Sequence, residues 1–131
     1  MGRFTQSNYD VVIVQEVLEH IEDPISLAYD LGCAVKFGGF VIFANCFSPV
    51  ILCHLPCTFY LRHTFILLMR FLGFKYVGVV EGADHALVFK RQGILRLKNA
   101  RRAAVLLRPI GFLYNRIDQL RDCIKRMVNS K

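Results

Sequence analysis

The stretch YDVVIVQEVLEHIEDP, residues 9–24, decides the fold predicted for this chain. Residues 9–15 form a short, valine-rich apolar run without regular alternation, which is typical of a strand covered on both faces in a parallel sheet. Asp23 followed by Pro24 then predicts the start of a helix, with Asp23 as the N-cap and Pro24 at the first helical position. The polar segment between strand and helix would therefore lie at the carboxyl end of the strand.

The next elements complete a βαβ unit. A helical apolar stripe follows Pro24, and Phe37-Gly38-Gly39 is predicted to end that helix because glycine readily takes a positive φ. Residues 40–46, FVIFANC, predict a second buried strand. A unit of this size places its two strands side by side and parallel, with ligand sites beyond their carboxyl ends. Residues 15–16 are therefore expected next to residues 45–47.

The remaining elements indicate a mixed sheet. Residues 58–72 predict a helix that ends at Gly73, and residues 74–81 and 85–91 predict two further strands. The short turn between these strands implies an antiparallel pair. From residue 93 the sequence becomes basic and helical, and Arg108-Pro109 is predicted to interrupt it.

The positive charge belongs to this tail. Residues 90–131 hold twelve Lys and Arg against two Asp, or +10, whereas residues 1–89 hold five against eight acids, or −3, which together give the net +7. The spacing of Ile110, Leu113, Ile117, Leu120, Ile124 and Met127 is 3, 4, 3, 4, 3. The tail is compatible with a solvated helix pair, an anionic membrane surface, phosphate contacts or a short coiled coil. No aromatic interleaving or nucleic-acid motif supports RNA binding.

Composition indicates one ordinary domain. The 131 residues are 54% hydrophobic, which is enough for a core. The chain has five cysteines and no recognisable signal peptide, which favours reduced thiols in a cytoplasmic protein. If the basic tail binds a membrane, the protein is expected at the membrane periphery. Residues 37–61 lack charged side chains, but their glycines and prolines favour a buried strand and an apolar loop over a membrane span.

Two quoted segments suggest a family. YDVVIVQEVLEHIEDP followed by LGCAVKFGGFVIFANC resembles the middle of class I S-adenosylmethionine-dependent methyltransferases, in which a valine-rich strand precedes a Glu-x-x-Glu-His segment and Asp-Pro. The later FLGFKYVGVVE and HALVFKR look like that family's final helix, strand and antiparallel hairpin. The resemblance covers residues 9–91 and implies a partial Rossmann-like α/β methyltransferase fold with a mixed sheet.

The chain also departs from the family pattern. The family's glycine-rich cofactor loop and its ribose-binding acidic residue are not found, and the chain begins near the family's fourth strand. We therefore expect the C-terminal half of a methyltransferase, with a methyltransferase-like unit at 1–91 and a basic helical extension at 92–131. Strand 10–15 would then be an open edge that pairs with a second copy or with a missing N-terminal half.

The resemblance also implies roles at the carboxyl edge. Gln15, Glu16 and Val17 would line S-adenosylmethionine. Glu19 and His20 are the catalytic candidates, because a histidine titrates near neutral pH and can accept a proton.

The acceptor side is assigned to the loop after the second strand. Its candidate contacts are Asn45, Cys46, His54 and Arg62. A metal is not the leading expectation, although Glu16, Glu19 and His20 would share a helical face and suit a divalent cation. The fragment Cys53-His54-x-x-Cys57 has three of the four ligands of a structural zinc site.

The function implied is methyl transfer from S-adenosylmethionine to a small-molecule or glycan-type acceptor. The alternative is a non-catalytic fragment derived from a methyltransferase, which uses its open strand and its basic tail to bind a protein or a membrane.

Overall fold

A mixed four-stranded sheet with three α-helices organises the chain. The computed structural model describes residues 9–129. Residues 1–8, which begin the predicted unit 1–91, and residues 130–131, which end the predicted unit 92–131, lie outside the described residues. The strand order is β1-β2-β4-β3, and β1 is one edge of the sheet.

The N-terminal half is the predicted βαβ unit. Strand β1 (Tyr9–Gln15) is followed by helix α1 (Pro24–Ala34) and strand β2 (Val35–Ala44), and β1 and β2 pair in parallel. The side chain of Asp23 accepts a hydrogen bond from the Ser26 backbone N–H at 3.1 Å. The predicted helix start, with its N-cap and its proline, is therefore confirmed.

The predicted end of α1 was wrong. The helix stops at Ala34, and β2 begins at once with Val35, five residues before the predicted strand start. The glycine pair instead forms an irregular part of β2, where the pairing moves from Tyr9–Val35 to Val11–Phe40. Gly38 has a φ of 82°, so its conformational freedom serves this bulge and not a helix cap.

Strand β1 is less covered than its composition predicts. Val11 is 47% exposed and Ile13 is 69% exposed, so the face of β1 that these alternate residues share is open within residues 9–129. The prediction of cover on both faces was wrong for the chain as it stands. Within residues 9–129 the expected open apolar edge at residues 10–15 is present, and its unpaired backbone groups suit the addition of another strand.

The second half closes the sheet. A short 3-10 turn (Pro56–Thr58) leads into helix α2 (Leu61–Leu72), which ends at Gly73 in a left-handed conformation. Strands β3 (Phe74–Val80) and β4 (Ala83–Arg91) form the predicted antiparallel pair, and β4 also pairs antiparallel with β2. The last strand of the chain therefore lies inside the sheet.

One long helix replaces the predicted helix pair. Helix α3 (Leu97–Asn129) runs through Pro109 without a break, so the predicted interruption was wrong. A proline inside a helix removes one hydrogen bond and costs about 3 kcal/mol. Packing offsets that cost, because Ala100, Ala103, Ala104 and Gly111 are buried on both sides of Pro109. No helix within residues 9–129 is long and apolar enough to cross a membrane.

Aromatic side chains fill the core between the sheet and α2. Phe43 of β2 meets Phe65 of α2 edge to face, with ring centroids 5.3 Å apart. Phe89 of β4 packs against both rings at 6.1 and 5.8 Å. Such pairs add about 0.5–1.5 kcal/mol beyond area burial. The core thus fixes α2 beside the strand ends that carry the polar residues.

Asp23 ties the start of α1 to α3, and this contact predicts an acid dependence. Its Oδ2 accepts hydrogen bonds at 2.6 Å from the Ser26 hydroxyl and from Arg101. Burial raises the pKa of Asp23, but the bonds from Ser26 and Arg101 outweigh burial and hold the pKa below its ordinary value of 3.8. A carboxyl with a depressed folded-state pKa contributes stability above its unfolded pKa and loses it as the pH falls through its folded pKa.

We therefore expect the stability advantage of the wild type over Asp23→Asn to stay constant above about pH 5 and to shrink below about pH 4. Asparagine keeps the N-cap acceptor, so the comparison isolates the charge. Urea unfolding at several pH values measures it. An advantage that grows on acidification would contradict this assignment.

Candidate functional site

The site lies where β1 and β2 end. After β1 the chain turns at Glu16, whose φ of 50° is left-handed and uncommon for a residue with a side chain. The Oδ1 atom of Asn45 holds this turn by accepting the backbone N–H groups of Val17 and Leu18 at 3.2 and 3.0 Å. The predicted proximity of residues 15–16 and 45–47 is confirmed, because the Glu16 N–H also donates to the Ala44 carbonyl at 2.8 Å.

Glu19 lies in a 3-10 turn (Leu18–His20), and its side chain is fully buried. Its Oε1 accepts the Cys46 backbone N–H at 2.8 Å. Its Oε2 is buried and has no hydrogen-bond partner within residues 9–129. A buried polar atom without a partner costs about 1–3 kcal/mol, so this carboxylate is held in place at the expense of stability.

Two histidine rings lie beside this carboxylate. The Nδ1 atom of His20 is 3.1 Å from the Cys53 carbonyl, and the Nδ1 atom of His54 is 2.6 Å from the Ser48 carbonyl. A carbonyl oxygen only accepts, so each Nδ1 carries the hydrogen and each neutral ring keeps a lone pair on Nε2. His54 is only 5% exposed, and its Nε2 has no partner in the described part of the chain.

Together these three side chains form a possible ligand set, which we call the Glu-His-His trio (Glu19, His20 and His54). One ligand atom from each residue lies within 4.8 Å of the other two. Tetrahedral zinc with bonds of about 2.0–2.1 Å separates its ligands by roughly 3.4 Å, so the trio would contract by at most about 1.4 Å around an ion. Each ring is already fixed through Nδ1 by a backbone carbonyl, which is the usual support for a metal-bound histidine.

Glu16 adds a second carboxyl beside the trio. Its side chain is exposed, in contrast to that of Glu19. Partial desolvation of the carboxyl raises the pKa of Glu16, the neighbouring Glu19 side chain raises it further, and His54 and His85 lower it. Two carboxylates and two imidazoles therefore share one electrostatic environment at this edge of the sheet.

A cavity of about 270 Å³ lies at the end of β2, and Cys46, whose backbone N–H donates to Glu19, is part of its wall. It is lined by Asn45, Cys46 and Arg62, three of the four residues predicted on the acceptor side. Asn45 also has a buried Nδ2 without a hydrogen-bond partner within the described range. His85 of β4 lines the cavity too, and sequence reasoning missed it because nothing in the β4 segment indicates that it faces the end of β2.

His54 does not line this cavity, although it was predicted on the acceptor side. It joins Glu19 and His20 instead, so the trio differs from the predicted set of Glu16, Glu19 and His20. The fragment Cys53-His54-x-x-Cys57 did mark His54 as a ligand candidate, but both cysteines are free thiols and neither belongs to the trio. Because 33 residues lie between His20 and His54, the spacing of residues in the sequence does not reveal the trio.

The predicted cofactor-side residues lie along the same turn. Gln15 is exposed at the end of β1, Val17 is partly buried against the core, and both flank Glu16. Their contact with S-adenosylmethionine remains a prediction, as do the catalytic roles of Glu19 and His20.

Comparisons of the chain with models of protein families, with curated proteins and with solved structures found no match. Function is therefore inferred from the residues and from the geometry of this site.

Proposed function

We propose that this chain forms the acceptor side of an S-adenosylmethionine-dependent methyltransferase, in which the Glu-His-His trio holds a divalent cation. The observation that carries the proposal is the convergence of a buried, unpartnered carboxylate oxygen with two histidines whose Nδ1 atoms are already bonded. The acceptor is a small molecule or glycan-type compound with a hydroxyl group.

The sheet supports the methyltransferase part of the proposal. A parallel β1–β2 pair joined through α1, followed by an antiparallel hairpin, is the arrangement that the resemblance implies. The residues assigned to the cofactor, Gln15, Glu16 and Val17, precede the trio directly. A methyl donor on that side would therefore lie close to an acceptor in the cavity beyond β2.

The ligand chemistry supports the cation. Two imidazoles and one carboxylate suit Zn²⁺ and other first-row divalent metals, and a site with three protein ligands keeps a position open for a further oxygen. A cation held by the trio would bind an oxygen of the acceptor at that position and would polarise its hydroxyl group. The unpartnered Nδ2 of Asn45, with Arg62 and His85, offers hydrogen-bond donors for its other polar groups.

The proposed reaction is an in-line displacement. The bond from the methyl carbon to the sulfonium sulfur breaks, the carbon–oxygen bond forms, and the sulfur keeps the electron pair as a neutral thioether. The hydroxyl proton passes to a base beside the trio, where the Glu16 carboxyl lies. Without a cation, the lone pair on Nε2 of His20 is available for that proton, which is the role predicted from the sequence.

Calorimetric titration tests both parts separately. We expect Zn²⁺ to bind the full chain at one site with a Kd of about 1 μM or tighter, which corresponds to about 8 kcal/mol. His54→Ala should lose this site, whereas His63→Ala should keep it, because His63 pairs with Asp118 away from the trio. S-adenosylhomocysteine is then titrated into the zinc-loaded chain.

The outcomes separate the two claims. Absence of zinc binding, or equal binding by both histidine variants, would overturn the trio as a cation site. Zinc binding without any binding of S-adenosylhomocysteine at about 1 mM would overturn the methyltransferase assignment for this chain. Binding of both, followed by methyl transfer to hydroxylated acceptors, is the result we expect.

The open edge of β1 favours a second candidate function. Val11 and Ile13 are exposed on a strand with unpaired backbone groups, which suits pairing with a second copy or with another segment. The chain would then act as a non-catalytic interaction module. A dimer in analytical ultracentrifugation that Ile13→Lys dissociates, without zinc or cofactor binding, would favour this function over methyl transfer.

A further inference from the structure

Helix α3 exposes an apolar stripe that nothing in the described chain covers. The stripe consists of Leu106, Ile110, Leu113, Ile117, Leu120 and Ile124. The buried residues Ala100, Ala104 and Gly111 share another face, about 140° around the helix from the stripe, and the buried Ala103 lies between the two. The stripe therefore points away from the face that packs on α2 and α1, and no residue from 112 to 129 is buried.

The apolar surface extends beyond α3. Leu67 and Phe71 of α2 are 39% and 48% exposed, and they share a groove of about 400 Å³ with Leu106. Arg102 also lines that groove. The exposed apolar surface is thus continuous from the body of the protein along the outer half of α3, and a basic side chain borders it at the start.

Charge is distributed unevenly around this stripe. Helix α3 carries eight Lys and Arg against two Asp, a net charge of +6. Arg116 and Arg121 flank the stripe on its two sides. Asp118 and Asp122 fall on the opposite side of the helix, where Asp118 pairs with His63 of α2 at 2.9 Å and, more loosely, with Arg121 at 4.0 Å. The stripe is therefore bordered by cations only.

This charge pattern argues against a second copy as the occupant. Ile110, Ile117 and Ile124 alternate with leucines at the a and d positions of a heptad, which alone would suit a two-stranded coiled coil. In a parallel pair, however, Arg116 at position g would face Arg121 at position e of the second helix. The e and g positions beside the stripe hold no acidic residue, in a parallel or an antiparallel pair of helices. Pairing of two copies would therefore bring like charges together.

We propose that α3 lies on an anionic lipid surface, with the stripe in the interface and the flanking arginines at the headgroups. An amphipathic helix with low mean hydropathy and a basic border has this preference. The proposal is independent of the Glu-His-His trio and of methyl transfer. The basic tail would thus bind a partner that offers both negatively charged groups and an apolar layer beneath them.

Vesicle co-sedimentation of the full chain tests the proposal. We expect at least about tenfold stronger binding to vesicles of 70% phosphatidylcholine and 30% phosphatidylserine than to phosphatidylcholine alone, and a clear loss at about 0.5 M NaCl because salt screens exposed charges. Leu120→Glu should lose about tenfold in binding. Gln119→Glu adds the same charge one position away, off the stripe, and should change binding less than threefold.

Ile124→Glu, in a stretch without buried residues, repeats the test if Leu120→Glu fails to fold. Equal binding to both vesicle types, no binding at all, or equal losses in the position 119 and 120 variants would overturn the proposal. A dimer that Leu120→Glu dissociates, with no vesicle binding, would assign the stripe to a second copy instead. Binding to polyuridylate that both glutamate variants retain, without binding to vesicles, would assign the charge to nucleic acid.

Discussion

Gly111→Ala is expected to destabilise the protein by about 2–3 kcal/mol, although the same change stabilises an ordinary helix by about 0.5–1 kcal/mol. A Cβ atom at this position would overlap the Tyr60 carbonyl oxygen and would lie 2.9 Å from its carbonyl carbon. These are backbone atoms at the start of α2, so no side chain can rotate away. Helices α2 and α3 must therefore separate, and this movement strains the hydrogen bond that the Asn115 side chain donates to the Phe59 carbonyl.

Urea unfolding measures this effect, and Gly93→Ala is the matched control. The nearest atom to a Cβ at Gly93 is the Gly73 carbonyl oxygen at 3.5 Å, an ordinary contact, so that variant should stay within about 0.5 kcal/mol of the wild type. A Gly111→Ala protein as stable as the wild type would show that α3 does not pack on α2 as described. The sign of the change thus distinguishes helix propensity from packing.

Glu19→Gln is expected to raise the stability of the metal-free protein by about 1 kcal/mol and to weaken zinc binding at least about 100-fold, or about 2.7 kcal/mol. The substitution keeps an oxygen to accept the Cys46 N–H. It removes a buried carboxylate that stands beside Glu16. Its amide group can also donate to the lone pairs on the histidine Nε2 atoms, whereas a cation needs the carboxylate.

Thermal unfolding with and without Zn²⁺ measures both effects, because a ligand that binds only the folded state raises the melting temperature. Glu22→Gln makes the same chemical change at an exposed position and should alter neither quantity. A Glu19→Gln protein that is less stable without metal, yet binds zinc as the wild type does, would mean that Glu19 has only a structural role. A substitution that raises the stability of the metal-free protein and lowers its affinity for zinc is the result expected of a buried carboxylate that has a function in binding.

Local patterns were sufficient for most elements of the fold. Asp23-Pro24 started α1 as predicted, Gly73 ended α2, and the short turn before β4 made an antiparallel hairpin. Each depends on residues close in sequence, because caps and turns are fixed by local φ/ψ preferences and hydrogen bonds. The carboxyl-edge location of the candidate site followed from the same local elements and the topology of a βαβ unit.

Other features were decided by contacts between distant residues. The sequence predicts a helix end at Gly38, which instead serves a bulge against β1. It predicts a break at Pro109, which instead lies in a continuous helix. His54 joined Glu19 and His20 across a loop, and His85 reached the cavity from β4. By itself the sequence determined the order and type of the elements and the edge where polar residues gather. Only the tertiary structure decided which side chains meet there, because packing energy summed over many contacts outweighs the propensity of a single glycine or proline.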